Sequence, residues 1–221
     1  MERFYTAESV TEGHPDKLCD QIADSVLDDC LAHDPLSRVA CEVLATRNHI
    51  VVAGEITSHH VPRVPAIIES LMHDIGYSTR GLTIDLLLHR QSPDIAAGVN
   101  NPLEEREVIG TGELGAGDQG VMVGFACSET PEMLPLPVVL AQKICRRLDE
   151  SDIPWLKPDG KAQVTVVYQD DEPVAVSAVV VSVQHNENVE IETIRKTVRE
   201  EIIRRVIPEK YLRPGTRMLI D

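Results

Sequence analysis

A stretch near the middle of the chain, residues 91–119, shows neither helical nor strand periodicity. It carries two prolines, an acidic run at 103–107, and the glycines Gly98, Gly110, Gly112, Gly115 and Gly117. Unpatterned loops longer than about 12–15 residues are uncommon inside compact domains, and they usually serve a function or are disordered. We therefore expect two patterned parts, with this segment as a mobile lid between them.

Helical and strand patterns occur on both sides of this segment. On the N-terminal side, the spacing predicts helices at 16–32 and 64–75, and strands at 39–46, 49–57 and 82–88. On the C-terminal side, it predicts a strand at 121–126, a helix at 136–148, a hairpin of 163–168 with 174–183 that turns at Asp170-Asp171, a helix at 191–202 and a strand from 216. Because strands and helices do not alternate one by one, the order is typical of a mixed α+β fold rather than of βαβ units.

The charge of the chain excludes several classes of partner. Its 36 acidic and 21 basic residues give a net charge of −15, whereas a nucleic-acid or anionic-membrane binder needs a basic face. With only 2 Phe, 1 Trp and 4 Tyr, stacking on single-stranded nucleic acid is also disfavoured. A small polyanion held through a divalent cation stays compatible with this charge.

The sequence predicts a cytoplasmic protein without a membrane segment. Its most apolar run, 174–183, is too short to cross a bilayer and contains two serines. The N-terminal residues lack the apolar core of a signal peptide. The five cysteines are odd in number and form no C-x-x-C pair, which is typical of reduced thiols in the cytosol.

The most charged motif, at residues 12–17 (EGHPDK), lies at the start of the first predicted helix. A helix N-terminus attracts anions, His14 and Lys17 add donors, and Asp16 is suited to a hard cation, so the motif would suit phosphates with Mg²⁺. The alternative is that Glu12 and Asp16 only complement the helix dipole. Local chemistry alone slightly favours that alternative.

Two carboxylates, Glu42 and Glu55, lie in apolar surroundings on adjacent predicted strands. A buried carboxylate is costly unless it is paired or binds a cation. A solvent-facing position on each strand is the alternative. Local sequence favours neither.

Three further patterns are weak when read separately. The glycine-rich GAGDQG at 115–120 precedes a strand and lacks the Lys-Ser/Thr of a P-loop, so it indicates a hinge or a turn that presents Asp118. The PDGK at 158–161 predicts a turn. Among the eight histidines, we expect the pair His59–His60 to be exposed.

The joint order of these motifs is far more specific. GHPDK at 13–17, GEIT at 54–57, QSPDI at 91–95, GAGDQG at 115–120 and SVQH at 182–185 occur in the order, and nearly at the spacing, of the methionine adenosyltransferase (S-adenosylmethionine synthetase) family. The chain resembles that family from about Phe4 to its last residue. This resemblance overturns the preference for a dipole role at His14 and Asp16.

The resemblance implies a fold and an activity. The fold would be α+β, with small mixed β-sheets, helices on one face, and two of three pseudo-threefold repeats partly represented. The activity would join ATP to L-methionine by attack of sulfur on C5′ of the ribose, followed by hydrolysis of the triphosphate to phosphate and diphosphate. Mg²⁺ and K⁺ would be cofactors, and active sites would lie between subunits of a homodimer or higher oligomer.

The resemblance also implies roles for individual residues. His14 would contact the triphosphate near the breaking bond and, with Lys161, form the catalytic pair. Asp159, Gly160 and Lys161 would lie on the nucleotide. Three further residues would bind methionine: Glu55, Gln91 and Asp118. Asp16 would bind Mg²⁺, and Glu42 would bind K⁺.

The expected domain organisation follows the same resemblance. Residues 1–12 and about 121–221 would form an N-terminal-type domain, about 13–90 an incomplete central-type domain, and about 91–120 the mobile active-site loop with its connector. The third domain would be absent, because family members are nearly twice as long.

The length therefore leaves two interpretations. The chain is part of a complete or split methionine adenosyltransferase, nearly inactive alone, and a complementary chain or further sequence supplies the rest. Alternatively, it is a non-catalytic interaction subunit that assembles with a complementary or full-length chain.

Overall fold

The computed structural model describes residues 1–94, 96 and 120–221. Most of the expected lid, with Asp118, lies outside the described residues. Contacts divide the chain into two units. Unit 1 is Met1–Leu18, Ile75–Tyr77 and Gly124–Asp221, and unit 2 is Cys19–Asp74 and Ser78–Val123.

The described elements comprise seven strands and four longer helices. In chain order they are β1 (Glu2–Val10), α1 (Pro15–His33), β2 (Arg38–Thr46), β3 (His49–Thr57), α2 (Val64–Ile75), β4 (Thr83–His89), α3 (Leu136–Asp149), β5 (Leu156–Gln169), β6 (Glu172–His185), α4 (Ile191–Thr197) and β7 (Arg217–Ile220). A π-helical segment (Val198–Ile203) and a last α-helical turn (Arg204–Val206) continue α4. No helix within the described ranges has the length and apolar character that a bilayer crossing requires.

Unit 1 is built on a four-stranded mixed sheet in the order β1-β5-β6-β7. The β1–β5 and β5–β6 pairs are antiparallel, and β6–β7 is parallel. Alternate residues of β5, from Ala162 to Tyr168, face a core that also takes the apolar stripe of α3 and the continued helix α4. The period-2 pattern of the strand and the 3.6-residue pattern of α3 therefore bury a common apolar layer.

The hairpin of β5 and β6 turns at Asp170 and Asp171, as predicted. Their φ angles are 51° and 67°, and positive φ at both central residues is the geometry of the type I′ turn that suits twisted strands.

Unit 2 contains a three-stranded mixed sheet in the order β2-β3-β4. The β2–β3 pair is antiparallel and turns at Asn48, whose φ is 55°, whereas β3 and β4 are parallel. Buried side chains form a stripe on α1 (Ile22, Val26, Cys30), on β3 (Ile50, Val52) and on α2 (Val64, Ile68, Met72).

The structure confirms the α+β class and corrects three local predictions. Residues 121–126 form no strand, and Val121 and Met122 are more than 85% exposed. The stretch 158–161 is not a turn, because it lies inside β5, where pairing with β6 is irregular between Leu156 and Gly160. Strand β1 was missed, because its side chains are mostly exposed and show no apolar alternation.

Candidate functional site

The loop between β1 and α1 is fastened to the start of β5. Thr11, which is buried, donates its backbone N–H to the Gly160 carbonyl at 3.0 Å and its hydroxyl to the Pro158 carbonyl at 2.7 Å. Tyr77 donates its hydroxyl to the Gly13 carbonyl at 2.8 Å. These bonds hold the loop that carries His14 against the strand that carries Asp159 and Lys161.

Glycine is required where these two segments meet. A Cβ on Gly13 would lie 2.4 Å from the Cβ of Pro158 and 2.7 Å from its carbonyl atoms. Backbone atoms cannot yield as the end of a flexible side chain does. The first glycine of the GHPDK motif therefore permits a close contact between the loop and β5.

These segments line a cavity of about 490 Å³ in unit 1. Three consecutive residues of β5 and three of β6 form most of its walls, together with the residue before α1 and the residue after β7. In that order they are Asp159, Gly160, Lys161, Ser182, Val183, Gln184, His14 and Asp221. The structure thus brings together the four residues predicted to bind the nucleotide.

The cavity lies at the N-terminus of α1, a helix of 19 residues. The Asp16 backbone N–H donates to Nδ1 of His14 at 3.2 Å. A neutral His14 therefore carries its proton on Nε2 and can donate from that atom. This helix end offers the positive end of its dipole and an imidazole donor, both suited to an anion.

Opposite charges surround the cationic residue of the cavity. The Lys161 ammonium lies 2.6 Å from the Glu8 carboxylate, and both side chains are about half exposed. The contact with Glu8 raises the pKa of Lys161, and the charge of Asp16 raises it further. Lys161 is therefore a stable cation that an incoming anion could draw away from Glu8.

The negative charge of Asp159 affects the pKa of the neighbouring Tyr77. Burial, reinforced by the negative charge of Asp159, raises the pKa of Tyr77 to about 12. Tyr77 therefore stays protonated at neutral pH and serves as a donor that holds the Gly13 loop.

A second acidic group bonds to the same loop. Asp149, at the end of α3, accepts a hydrogen bond from the Glu12 backbone N–H at 3.4 Å. Burial, with the nearby charges of Glu12 and Glu150, raises the pKa of Asp149 to about 6 despite that bond. Asp149 is therefore only partly protonated at neutral pH, and its charge disfavours the folded state.

Replacing Asp149 with Asn is expected to stabilise the fold above pH 6. A carboxyl whose pKa is raised by folding holds its proton more tightly in the folded state, so the wild type loses stability as pH rises from about 4 to about 6. Asn keeps an acceptor for Glu12 without the charge. Asp149 retains exposed surface, which limits the gain to about 1 kcal/mol. Urea unfolding should show a higher free energy of unfolding for Asp149→Asn than for the wild type at pH 8, and no difference at pH 4. An equal difference at both pH values would mean that the charge of Asp149 is not the cause.

The remaining predicted site residues belong to unit 2 or lie outside the described residues. Glu42, in β2, is exposed, and Glu55, in β3, has Oε1 3.2 Å from Nε2 of His89. The β2–β3 register places both carboxylates on one face of the sheet. Gln91 follows β4 by two residues, and Asp118 falls outside the described residues.

Sequence reasoning missed several residues of the cavity region. Glu8 and Thr11 belong to the missed strand β1 and the turn after it, and Asp221 reaches the cavity through the parallel pairing of β7 with β6. Thr11 preceding EGHPDK was the available signal, since a polar residue before a helix start usually bonds backbone groups. The partners of Glu8 and Asp221 are distant in sequence and gave no local signal.

The donor chemistry of the site fits a magnesium ion that arrives with phosphates. Asp16, in the first turn of α1, has a side chain that is 84% exposed. Mg²⁺ is commonly bound through one or two carboxylates together with substrate phosphates and water. A single accessible carboxylate beside an anion-binding helix end meets that requirement.

Comparisons with known proteins agree over both parts of the chain. Residues 2–93 match the family model described as S-adenosylmethionine synthetase, N-terminal domain, and residues 113–221 match the central domain of the same family. The chain is also 43% identical over 233 residues to the S-adenosylmethionine synthase of Desulforudis audaxviator (strain MP104C). That alignment covers all of this chain and 59% of the relative, so the chain spans about three-fifths of the length of this curated relative.

Proposed function

Because the chain belongs to the S-adenosylmethionine synthetase family, we propose that it takes part in the synthesis of S-adenosylmethionine from ATP and L-methionine. The observation that carries the proposal is the cavity where His14, Asp159 and Lys161 meet at the N-terminus of α1. A helix end with an imidazole and an ammonium group is a site for a polyphosphate.

The reaction places its main demand on the leaving group. Methionine sulfur attacks C5′ of ATP, the C5′–O bond breaks, and the triphosphate departs with the bonding electrons before hydrolysis to phosphate and diphosphate. The sulfur carries no proton, so no general base is needed. The protein must orient the reactants and stabilise charge where it develops on the departing oxygen.

The residues of the cavity are suited to that demand. His14 would donate from Nε2 to the triphosphate near the breaking bond, and Lys161 would leave Glu8 to pair with phosphate. Asp159 would accept from the nucleoside part, and Gly160 would lie on the nucleotide through its backbone. Asp16 would hold Mg²⁺, which supplies further neutralisation of the triphosphate when bound.

Methionine and the monovalent cation are assigned to other residues. Glu55 would accept from the α-ammonium of methionine, Gln91 would contact its polar end, and Asp118 would be a nearby acidic contact. Glu42 would bind K⁺. Two observations support these roles: Glu42 is exposed, and Glu42 and Glu55 lie on the same face of the sheet, where a ligand could reach both carboxylates.

The proposed assembly is a homodimer or higher oligomer. The outer face of the β2-β3-β4 sheet carries Leu44 and Leu87, which are 67% and 61% exposed. Apolar side chains on an open sheet face favour coverage by another subunit. We also place the protein in the cytoplasm, which is supported by its five free cysteines.

The test is an assay of the chain, completed by the further sequence or complementary chain that supplies the rest, with ATP, labelled L-methionine, Mg²⁺ and K⁺, followed for S-adenosylmethionine. Asp16→Asn is expected to lower product formation at least about 100-fold, because the charge that holds the metal is lost. Asp24→Asn, an equal charge change on the exposed side of α1, should leave the rate unchanged. Absence of product from the wild type, or an unchanged rate in Asp16→Asn, would overturn the proposal.

A further inference from the structure

Two histidines and an aspartate converge at the C-terminal end of α1, in unit 2. One nitrogen of each of His33 and His60 and one carboxylate oxygen of Asp29 lie within 4.8 Å of one another. Asp29 and His33 are four residues apart and therefore share one face of α1, whereas His60 comes from the loop between β3 and α2. These three residues take no part in the reaction proposed above.

We propose that Asp29, His33 and His60 form a binding site for a divalent transition-metal ion of the Zn²⁺ class. Two imidazole nitrogens and one carboxylate oxygen are the donors that such ions prefer, whereas Mg²⁺ prefers oxygen alone. Ligand atoms around tetrahedral zinc lie about 3.3 Å apart, as bonds of about 2.0–2.1 Å require. Small side-chain rotations would bring atoms within 4.8 Å to that spacing.

The two histidine rings lie next to each other beside Asp29. They stack with centroids 4.0 Å apart and planes 8° from parallel. Nε2 of His60 lies 2.8 Å from Oδ2 of Asp29, whereas Nδ1 of His33 hydrogen-bonds to the Asp29 backbone carbonyl at 2.8 Å and lies 3.6 Å from Oδ1. The ion would take the place of the proton that His60 now shares with Asp29.

The place of the site in the fold also favours a cation. It lies at the C-terminal end of α1, where the negative end of the helix dipole attracts positive charge.

Hydrogen bonds hold the His60 loop against the end of α1. The His60 backbone N–H donates to Oγ of Ser58 at 3.0 Å, and Oγ of Ser37 donates to Oγ of Ser58 at 2.7 Å. The His59 backbone N–H donates to Oδ2 of Asp34 at 2.8 Å. Such support positions ligands before the ion arrives, which reduces the cost of binding.

The site is open to solvent on one side. The side chain of His33 is 56% exposed, and those of Asp29 and His60 are about one-quarter exposed. An ion can therefore enter without unfolding, and water can complete the coordination. Three protein ligands with an open fourth position is a recurrent zinc geometry.

The experiment measures Zn²⁺ binding to the protein, purified without a histidine tag, by competition with a chromogenic chelator. One Zn²⁺ should bind per chain, and excess Mg²⁺ should not displace it. His33→Gln and His60→Gln should each weaken binding at least about tenfold, since each removes a direct ligand. His73→Gln, an 88% exposed histidine of α2, is the matched control and should bind as the wild type does.

Co²⁺ provides a second readout that reports the ligand geometry. The wild type should show the visible bands of four-coordinate Co²⁺, and both ligand variants should lose them while keeping the wild-type circular dichroism. His33→Gln is the decisive variant, because its exposed position leaves the fold intact. Equal Zn²⁺ affinity in wild type, His33→Gln and His60→Gln, or no binding at all, would overturn the proposal.

Discussion

Gly13→Ala is expected to destabilise unit 1 by about 2–3 kcal/mol, a cost typical of forcing a carbon atom into a packed site. The new Cβ would lie 2.4 Å from the Cβ of Pro158 and 2.7 Å from its carbonyl atoms, so the backbone must move. The same movement would displace Asp159 and Lys161, which follow Pro158 on β5. Urea unfolding would measure the stability, and ATP titration would measure the effect on the cavity.

Gly215→Ala is the control for this change. A Cβ added at Gly215 would meet no atom of the described residues within 4 Å, so we expect a change of less than about 1 kcal/mol. If Gly13→Ala were as stable as Gly215→Ala and bound ATP normally, the close contact between the loop and β5 would not be essential.

Lys161→Met is expected to lower the rate of S-adenosylmethionine formation by about 10²–10³-fold, the usual effect of removing one donor from developing charge. Met keeps much of the length and apolar surface of the side chain while it removes the charge. The fold should persist, since Lys161 and its partner Glu8 are both about half exposed. Single-turnover rates and ATP affinity, measured together, separate binding from chemistry.

Lys157→Met removes the same charge from the same strand, at an exposed position outside the cavity lining. It should retain the wild-type rate. A comparable loss in both variants would mean that the overall charge of the protein matters, and that the contact between Lys161 and phosphate does not.

Elements with strong periodicity could be predicted from the sequence. The stripe of Ile22, Val26 and Cys30 identified α1, and the run of β-branched residues identified β3 and β6. Two aspartates between long apolar strands identified the hairpin. In each of these cases the local pattern and the tertiary packing require the same conformation.

Elements that depend on partners distant in the sequence could not be predicted. β1 is largely exposed, and it is a strand because β5 supplies its hydrogen bonds. The apolar run at 121–126 was misread, because β-propensity describes side chains that pack on a sheet, and these are exposed. The π-helical segment in the continued α4 has no sequence signal that we recognise.

The cavity residues could be named only through the family resemblance, and their roles stay predictions. His14 belongs to GHPDK, one of the motifs that carry the resemblance, whereas Asp159, Gly160 and Lys161 belong to PDGK, which alone indicated only a turn. His60 was expected to be exposed together with His59, but it is only partly exposed and bonds to Asp29. That error has a simple cause, because the loop of His60 returns to the end of α1, and adjacent residues in a loop can face opposite ways.

The pairing of β1 with β5 has a consequence for synthesis on the ribosome. Val10 pairs with Lys161, and Glu2 pairs with Gln169, so β1 waits for a partner about 150 residues behind it. At about 5–20 residues per second, that delay lasts roughly 8–30 s. During this interval the nascent chain holds an open strand edge and an unfinished cavity wall. The ligand site of unit 1 can therefore form only after β5, which makes its opposite wall, has been translated.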